Sequence, residues 1–208
     1  MAQDLNELTE RLLQAVARVS QRHWCPATGG NFSARSSDQL LMTRSGCDKN
    51  QLSRDDLLLC DLQARALEPQ CKPSDEARLH ARLYQLDPQI QSVLHSHSVT
   101  ATVLSRQRSA NALRIQGFEM QKSLSGEMNP DDPVILPILD NNQNIEELAD
   151  ELERRWRGGQ VLCPGLLVRG HGLYAWGSSI EHALRHLEGL EFLLECLWQE
   201  RLLHGASE

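Results

Sequence analysis

Three histidines are placed where they could share one metal ion. His95 and His97 lie two residues apart at the end of the apolar run Gln89-Ile90-Gln91-Ser92-Val93-Leu94, which follows Asp87-Pro88 and reads as a strand. Side chains at i and i+2 of a strand point to the same face, so both imidazoles would lean into one site. Eight histidines scattered over 208 residues would give about 0.3 such pairs by chance, so the pair alone is also compatible with an ordinary core or surface pair. The segment Arg169-Gly170-His171-Gly172-Leu173-Tyr174 adds a third imidazole, bracketed by glycines inside a strand-like run. Glycine there marks a place where something approaches the backbone closely. Three neutral imidazoles with an open fourth position is the arrangement of a catalytic zinc site.

Metal-assisted chemistry at a carbonyl needs a proton acceptor nearby. Two glutamates stand close in sequence to metal or anion signals: Glu76, and Glu119 in Gln116-Gly117-Phe118-Glu119-Met120. Glu76 could equally do no more than stabilise the first turn of a helix, and Glu119 could be a solvated residue on a short helix. Anion-binding signals come from Thr28-Gly29-Gly30-Asn31-Phe32-Ser33, whose unobstructed N–H groups could form a nest, and from the hydroxyl and glycine loop Thr43-Arg44-Ser45-Gly46. Ser74, at an expected helix start, could serve the same anion. A Gly-Gly-Asn loop is also a common turn.

Several elements must position these groups. Asp4 with Glu7 forms a capping box for a first helix whose stripe is Leu5, Leu8, Leu12, Val16 and Val19, ending near His23. A turn-rich loop at Cys25–Ser33 enters a strand, and a second strand covers Gln39–Thr43. Ser74 is the expected N-cap of a helix over Asp75–Gln85, with Leu79 and Leu83 on its buried face. Asn144 with Glu147 caps a further helix that Gly158-Gly159 stops. Gly165–Trp176 reads as strand interrupted at His171, and Ser178 with Glu181 opens a long final helix with the stripe Ile180, Leu184, Leu187, Leu190, Leu194 and Leu197. That helix also carries His182 and His186 at i, i+4, but without the flanking acid of a metalloprotease helix the pair reads as solvated or as part of a subunit contact. Strands in the middle with helices around them predict a three-layer sandwich of sheet and helices.

The chain is long enough for one well-filled domain and short for two, so residues 1–208 are expected to form one. A formal net charge of −7 argues against nucleic acid or an anionic membrane as the main partner, and any phosphate must be held locally. The six cysteines, at 25, 47, 60, 71, 163 and 196, include no Cys-x-x-Cys pair, and the first residues lack a signal-peptide pattern. Together these predict a soluble protein of the reducing cytoplasm. No apolar run approaches the ~18 residues needed to span a bilayer.

Lys72-Pro73-Ser74-Asp75-Glu76, His95-Ser96-His97-Ser98 and Gly170-His171-Gly172, with Gly30-Asn31-x-Ser33 upstream, resemble the ordered motifs of the class II aldolase and adducin family over about residues 8–204. The resemblance implies an α/β fold, three-layer α/β/α with a central, largely antiparallel sheet, assembled as a homotetramer with active sites near subunit boundaries. It implies one zinc per subunit on His95, His97 and His171. A sugar phosphate would be held by Gly29, Gly30, Asn31, Thr43, Ser45, Gly46 and Ser74, with Lys122 as a further substrate contact. The segments Gln116–Lys122 and Arg169–Gly177 resemble a branch that dehydrates 5-methylthioribulose 1-phosphate in methionine salvage, where Glu119 would be the catalytic acid/base. In the sugar-phosphate aldolases and epimerases of the fuculose or ribulose phosphate type, the same role belongs to the glutamate of a Ser-Ser-Glu motif, here Glu76. This chain has Asp75 in place of the second serine, which sets an extra anion beside the phosphate site. An adducin-like scaffold would be expected to lose metal ligands, and all three histidines are present.

Overall fold

The apolar stripe of the N-terminal segment folds as expected into a helix, α1 (Leu5–Gln21), that buries Leu8, Leu12, Val16 and Val19. Each fully buried leucine of this kind contributes about 2 kcal/mol. The structure is a computed structural model that describes residues 4–107, 111–124 and 129–205. After α1 come β1 (Asn31–Ser36), β2 (Gln39–Thr43), β3 (Leu57–Asp61), α2 (Ala77–Leu86), β4 (Ser92–Ser96) and α3 (Val99–Leu104). The second half comprises β5 (Ala112–Ile115), β6 (Val134–Leu139), α4 (Ile145–Arg157), β7 (Gly165–Val168), β8 (Gly172–Gly177) and α5 (Ile180–Gly205).

The strands form one sheet in the order β3-β2-β1-β4-β8-β7-β6-β5. Every pairing is antiparallel except β6 with β7. Apolar residues of α1, α3 and α5 pack on one face, among them Leu12, Val16, Ala101, Leu104, Leu187 and Leu190. On the other face, Leu79 and Leu83 of α2 and Leu148 and Leu152 of α4 pack against Val93, Tyr174 and Trp176. The result is the expected three-layer α/β/α sandwich, with β4 and β8, the strands that carry or adjoin the histidines, at its centre. Among the described residues, no helix is long and apolar enough to cross a membrane.

Four boundaries differ from the sequence reading. The second helix begins at Ala77, because Asp75 and Glu76 form a turn in which the Ala77 N–H donates to the Ser74 carbonyl at 3.0 Å. Ser74 therefore precedes the cap position, which Glu76 holds without a side-chain cap. On α5 the capping hydroxyl is that of Ser179, which accepts from His182 N at 3.1 Å, while Ser178 contacts the His182 ring. At α1 the Asp4 carboxylate accepts from Asn6 N, and Glu7 lies 3.7 Å from Arg11. Finally, β4 ends at Ser96, so His97 lies just outside the strand, its N–H donating to the Trp24 carbonyl at 2.7 Å.

Candidate active site

The β7–β8 hairpin turns through Arg169-Gly170-His171, with Gly170 at a φ of 66° that favours glycine. This turn lifts His171 toward β4. The predicted close approach at Gly172 is to the neighbouring strand: a Cβ there would lie 2.0 Å from the Ser96 carbonyl oxygen. Gly29 and Gly30 likewise leave room for the histidine segment, since a Cβ would lie 2.8 Å from His97 Nδ1 at the first and 2.6 Å from the His95 carbonyl at the second. The glycines let three chain segments converge on one point.

At that point the Nε2 atoms of His97 and His95 are 2.8 Å apart, and those of His95 and His171 are 3.5 Å apart. Glu76 Oε1 lies 2.8 Å from His171 Nε2 and 3.8 Å from His95 Nε2. All four donor atoms fall within 4.8 Å of one another, a His₃Glu cluster that could hold a metal ion. Its orientation suits that use: His95 Nδ1 is engaged by the Leu173 carbonyl at 2.9 Å, which directs the Nε2 lone pair inward, and the ring stacks on Tyr174 at 3.8 Å. Burial lowers the basicity of His95 well below its ordinary value, and burial followed by the neighbouring His171 brings His97 down to about 4. Neutral imidazoles are the form that ligates metal. Burial works to raise the Glu76 carboxyl, yet the His171 hydrogen bond and the surrounding imidazoles hold it far below the usual carboxylate range.

Contacts from outside the cluster hold its parts in place. Ser98 caps α3 by accepting from Ala101 N, so that helix starts immediately after His97. From α3, Thr102 donates to the His171 carbonyl at 3.0 Å, and just beyond the helix Ser105 accepts from Gly170 N at 2.9 Å. Arg169 reaches the Ser105 carbonyl at 3.0 Å and Asp140 at 2.6 Å. The two ligand-bearing segments are thus braced by one short helix. Behind Ser96, the Glu191 carboxylate of α5 is almost fully buried and accepts from the Ser96 hydroxyl at 2.6 Å.

A cavity of about 540 Å³ opens in front of the histidines, lined by Gly29, Gly30, Ser45, Gly46, Ser74, Glu76, His97 and His171 among others. Five of the seven residues expected to hold phosphate therefore face one space. The other two do not line it. Thr43 is buried and accepts from Phe32 N at 3.1 Å. Asn31 is buried with its amide donating to Glu76. Asp75 also lines the cavity, with its carboxylate 3.5 Å from Lys72.

Glu119 and Lys122 lie elsewhere. They occupy a short 3₁₀ turn (Glu119–Ser123), pair with each other at 2.7 Å, and border a separate cavity with Met120, Arg185 and Phe192. Glu119 is largely exposed. His182 and His186 stand 6.4 Å apart at their ring centres, and His186 Nδ1 contacts the Trp176 carbonyl at 2.6 Å. Lys49, which lines the cavity, and the buried Glu191 were not singled out by sequence reasoning. Glu191 does carry a signal, because it sits between Leu187 and Leu194 on the apolar stripe of α5, where a charge is out of place.

A largely antiparallel α/β/α sandwich that gathers three imidazoles and a carboxylate beside a glycine- and hydroxyl-lined cavity defines a class II aldolase type of domain. The chain belongs to the class II aldolase and adducin family, whose N-terminal domain model matches residues 10–198. It is 50% identical over 193 residues to the methylthioribulose-1-phosphate dehydratase of Yersinia enterocolitica, covering 92% of this chain and 91% of that protein. To the methylthioribulose-1-phosphate dehydratase of Serratia proteamaculans it is 48% identical, over 96% and 98% of the two chains. Among solved structures, the L-fuculose-1-phosphate aldolase of Thermus thermophilus superposes with a TM-score of 0.77 at 27% identity, covering 96% of this chain and 98% of that one.

Proposed function

We propose that this chain is a zinc-dependent hydro-lyase that dehydrates 5-methylthioribulose 1-phosphate to 5-methylthio-2,3-dioxopentyl phosphate, a step of methionine salvage. The observation that carries this reading is the half-identity with two named dehydratases over nearly the full length of all three chains. Residues 1–208 are read as one domain, working in the cytoplasm, where its six free thiols would stay reduced. The working form is read as a homotetramer.

In this reading His95, His97 and His171 hold one zinc per subunit. When bound, the ion supplies Lewis-acid polarisation of a ketone, which acidifies the hydrogen on the adjoining carbon. The Gly29-Gly30 and Ser45-Gly46 loops with Ser74 anchor the phosphate, so the ketone at the second carbon is directed toward the histidines. Glu119 accepts the proton from the third carbon. Hydroxide then leaves the fourth carbon with a proton, as water, and the resulting enol becomes the 2,3-diketone. Because Glu119 and Lys122 border a cavity separate from the histidines within one chain, they are read as reaching the site from a neighbouring copy. Asn31 acts indirectly, by holding the Glu76 carboxylate against the cluster.

One observation favours a second reading. Glu76, the counterpart of the aldolase base, is the carboxylate actually gathered at the histidines. An aldolase would use the same metal, but its base would take the proton of the fourth-carbon hydroxyl, so that the bond between the third and fourth carbons breaks to give an aldehyde and, after protonation of the third carbon, a three-carbon keto phosphate. The deciding assay supplies purified metal-loaded protein with 5-methylthioribulose 1-phosphate. Diketone phosphate should accumulate; release of the three-carbon phosphate instead would replace the dehydratase reading with the aldolase one.

A further inference from the structure

In a chain of formal net charge −7, one lysine is buried beside the candidate site. Lys49 is 2% exposed and lines the same cavity as Gly29, Gly30, Ser45, Gly46 and Ser74. Its ammonium donates to the Thr28 carbonyl at 2.8 Å and to the Cys47 carbonyl at 2.9 Å. Thr28 adjoins one glycine loop and Cys47 the other, so a single side chain ties together the two loops that border the cavity. Both loops hold left-handed backbone, at Thr28 with φ 67° and at Gly46 with φ 74°, a conformation that a carbonyl–ammonium tie helps to keep.

An ammonium has three N–H groups, and two are used. Among the described residues, no carboxylate lies within 4 Å of it. A buried cation without a counter-ion is costly, and the cost is relieved by an anion that arrives in the open space beside it. The other cavity cation, Arg44, donates to the Asp55 carbonyl at 3.1 Å, and the cavity carboxylates Asp75 and Glu76 are engaged by Lys72 and by His171 and Asn31.

We infer that Lys49 is the charge partner of the substrate's phosphate, giving its third N–H to a phosphate oxygen while its other two keep the Thr28-Gly29-Gly30 and Ser45-Gly46-Cys47 loops in register around it. The inference rests on the sugar-phosphate reading of the site. It differs from a purely backbone cradle in requiring a positive charge at one position, and it gives the site a preference for dianionic phosphate esters over neutral sugars.

The test uses inorganic phosphate as the probe, so that it does not depend on which reaction the enzyme runs. Calorimetric titration of the metal-loaded protein should show phosphate binding weakened roughly 10- to 100-fold in both Lys49→Gln and Lys49→Met, with metal content unchanged. Lys49→Gln keeps a donor and loses the charge; phosphate affinity equal to that of the unsubstituted protein in this variant would overturn the inference and leave Lys49 a loop tie only. The chain has three lysines, so the ammonium signals of the unsubstituted protein labelled with ¹⁵N-lysine can be assigned with Lys72→Arg and Lys122→Arg. Saturating phosphate should move the Lys49 signal, and an unmoved signal overturns the inference even if the Lys49 variants fail to fold. Should the dehydratase assay fail while these results hold, only the reaction changes. Should Lys49→Gln turn over substrate with an unaltered KM, the phosphate assignment falls and the dehydratase reading stands.

Discussion

The histidine centre and the Glu119 turn represent opposite ways of building a site. At the histidines, three segments far apart in sequence are packed together, the donor atoms are buried or half-buried, the His95 and Glu76 side chains each have a partner outside the cluster, and Thr102 holds the His171 backbone. At Glu119 the side chain is exposed, its partner Lys122 is three residues away, and the adjoining cavity includes the exposed apolar residues Met120 and Phe192. An exposed i, i+3 ion pair contributes little to stability and does not by itself hold a base in position. On the proposed reading, one chain would complete its metal and phosphate half alone, whereas the acid/base half would need a second surface to fix it. In this reading catalysis depends on assembly although the centre does not.

The largest test of this contrast removes a ligand. His97→Ala should abolish activity and lower zinc occupancy to background, measured by elemental analysis of the purified protein; full occupancy in that variant would break the assignment of the centre. Next in size is the base. Glu119→Gln keeps shape and hydrogen bonding but cannot accept the proton, so turnover should fall about 100- to 10,000-fold while zinc is retained. Glu76→Gln should be milder, and the reverse ranking would transfer the chemistry to Glu76 and to the aldolase reading. Mixed oligomers sharpen the point: co-expressed His97→Ala and Glu119→Gln chains should recover activity that neither has alone, because some boundaries join an intact centre to an intact base. Absence of any recovery would place both halves in one subunit.

The smallest effect concerns the support behind the strand. Burial pushes the Glu191 carboxyl up to about 7 from an ordinary 4.5, with hydrogen bonds from Ser96 and Ser98 only partly opposing it. Since the folded state then binds this proton more tightly than the unfolded one, its contribution to stability is fullest below about 4.5 and is lost as pH rises to about 7. Glu191→Gln removes that dependence, so the variant should gain on the unsubstituted protein by on the order of 3 kcal/mol between pH 5 and pH 8. Denaturant unfolding at the two pH values checks this, and parallel stability curves would show that Glu191 titrates normally.

Much of the centre was legible in the sequence because its signals are local. The His95/His97 spacing, the glycines around His171 and the loops at Gly29 and Ser45 each carry their signal within a few residues, while α1 follows from its apolar stripe and α4 from its Asn144 cap and Gly158-Gly159 stop. Other features escaped for stated physical reasons. The helix α3 is only Val99–Leu104, too short for a periodic stripe, and its role lies in what it braces. Lys49 reads as a surface lysine because nothing local shows that the Thr28 carbonyl of a separate loop will receive it. Asn31 and Thr43 belong to the right loops but turn inward, which depends on strand register and not on composition. Glu76 was expected at a helix start and is found there, but its reach to the histidines depends on where α2 meets the sheet.

The brace that α3 makes between the His97 segment and the His171 hairpin has a consequence for how the ion comes and goes. Ligands already gathered by protein contacts lose little freedom when the ion arrives, so loading resembles docking into a finished receptor and not the folding of a floppy chain. On the proposed reading, exchange of the ion would require the hairpin to part from Thr102 and Ser105, the contacts that hold its His171 carbonyl and Gly170 N–H. A chelator-stripped chain should keep its far-ultraviolet circular dichroism and regain activity on mixing with zinc without a slow refolding phase; loss of that spectrum on stripping would show that the ion itself closes the hairpin.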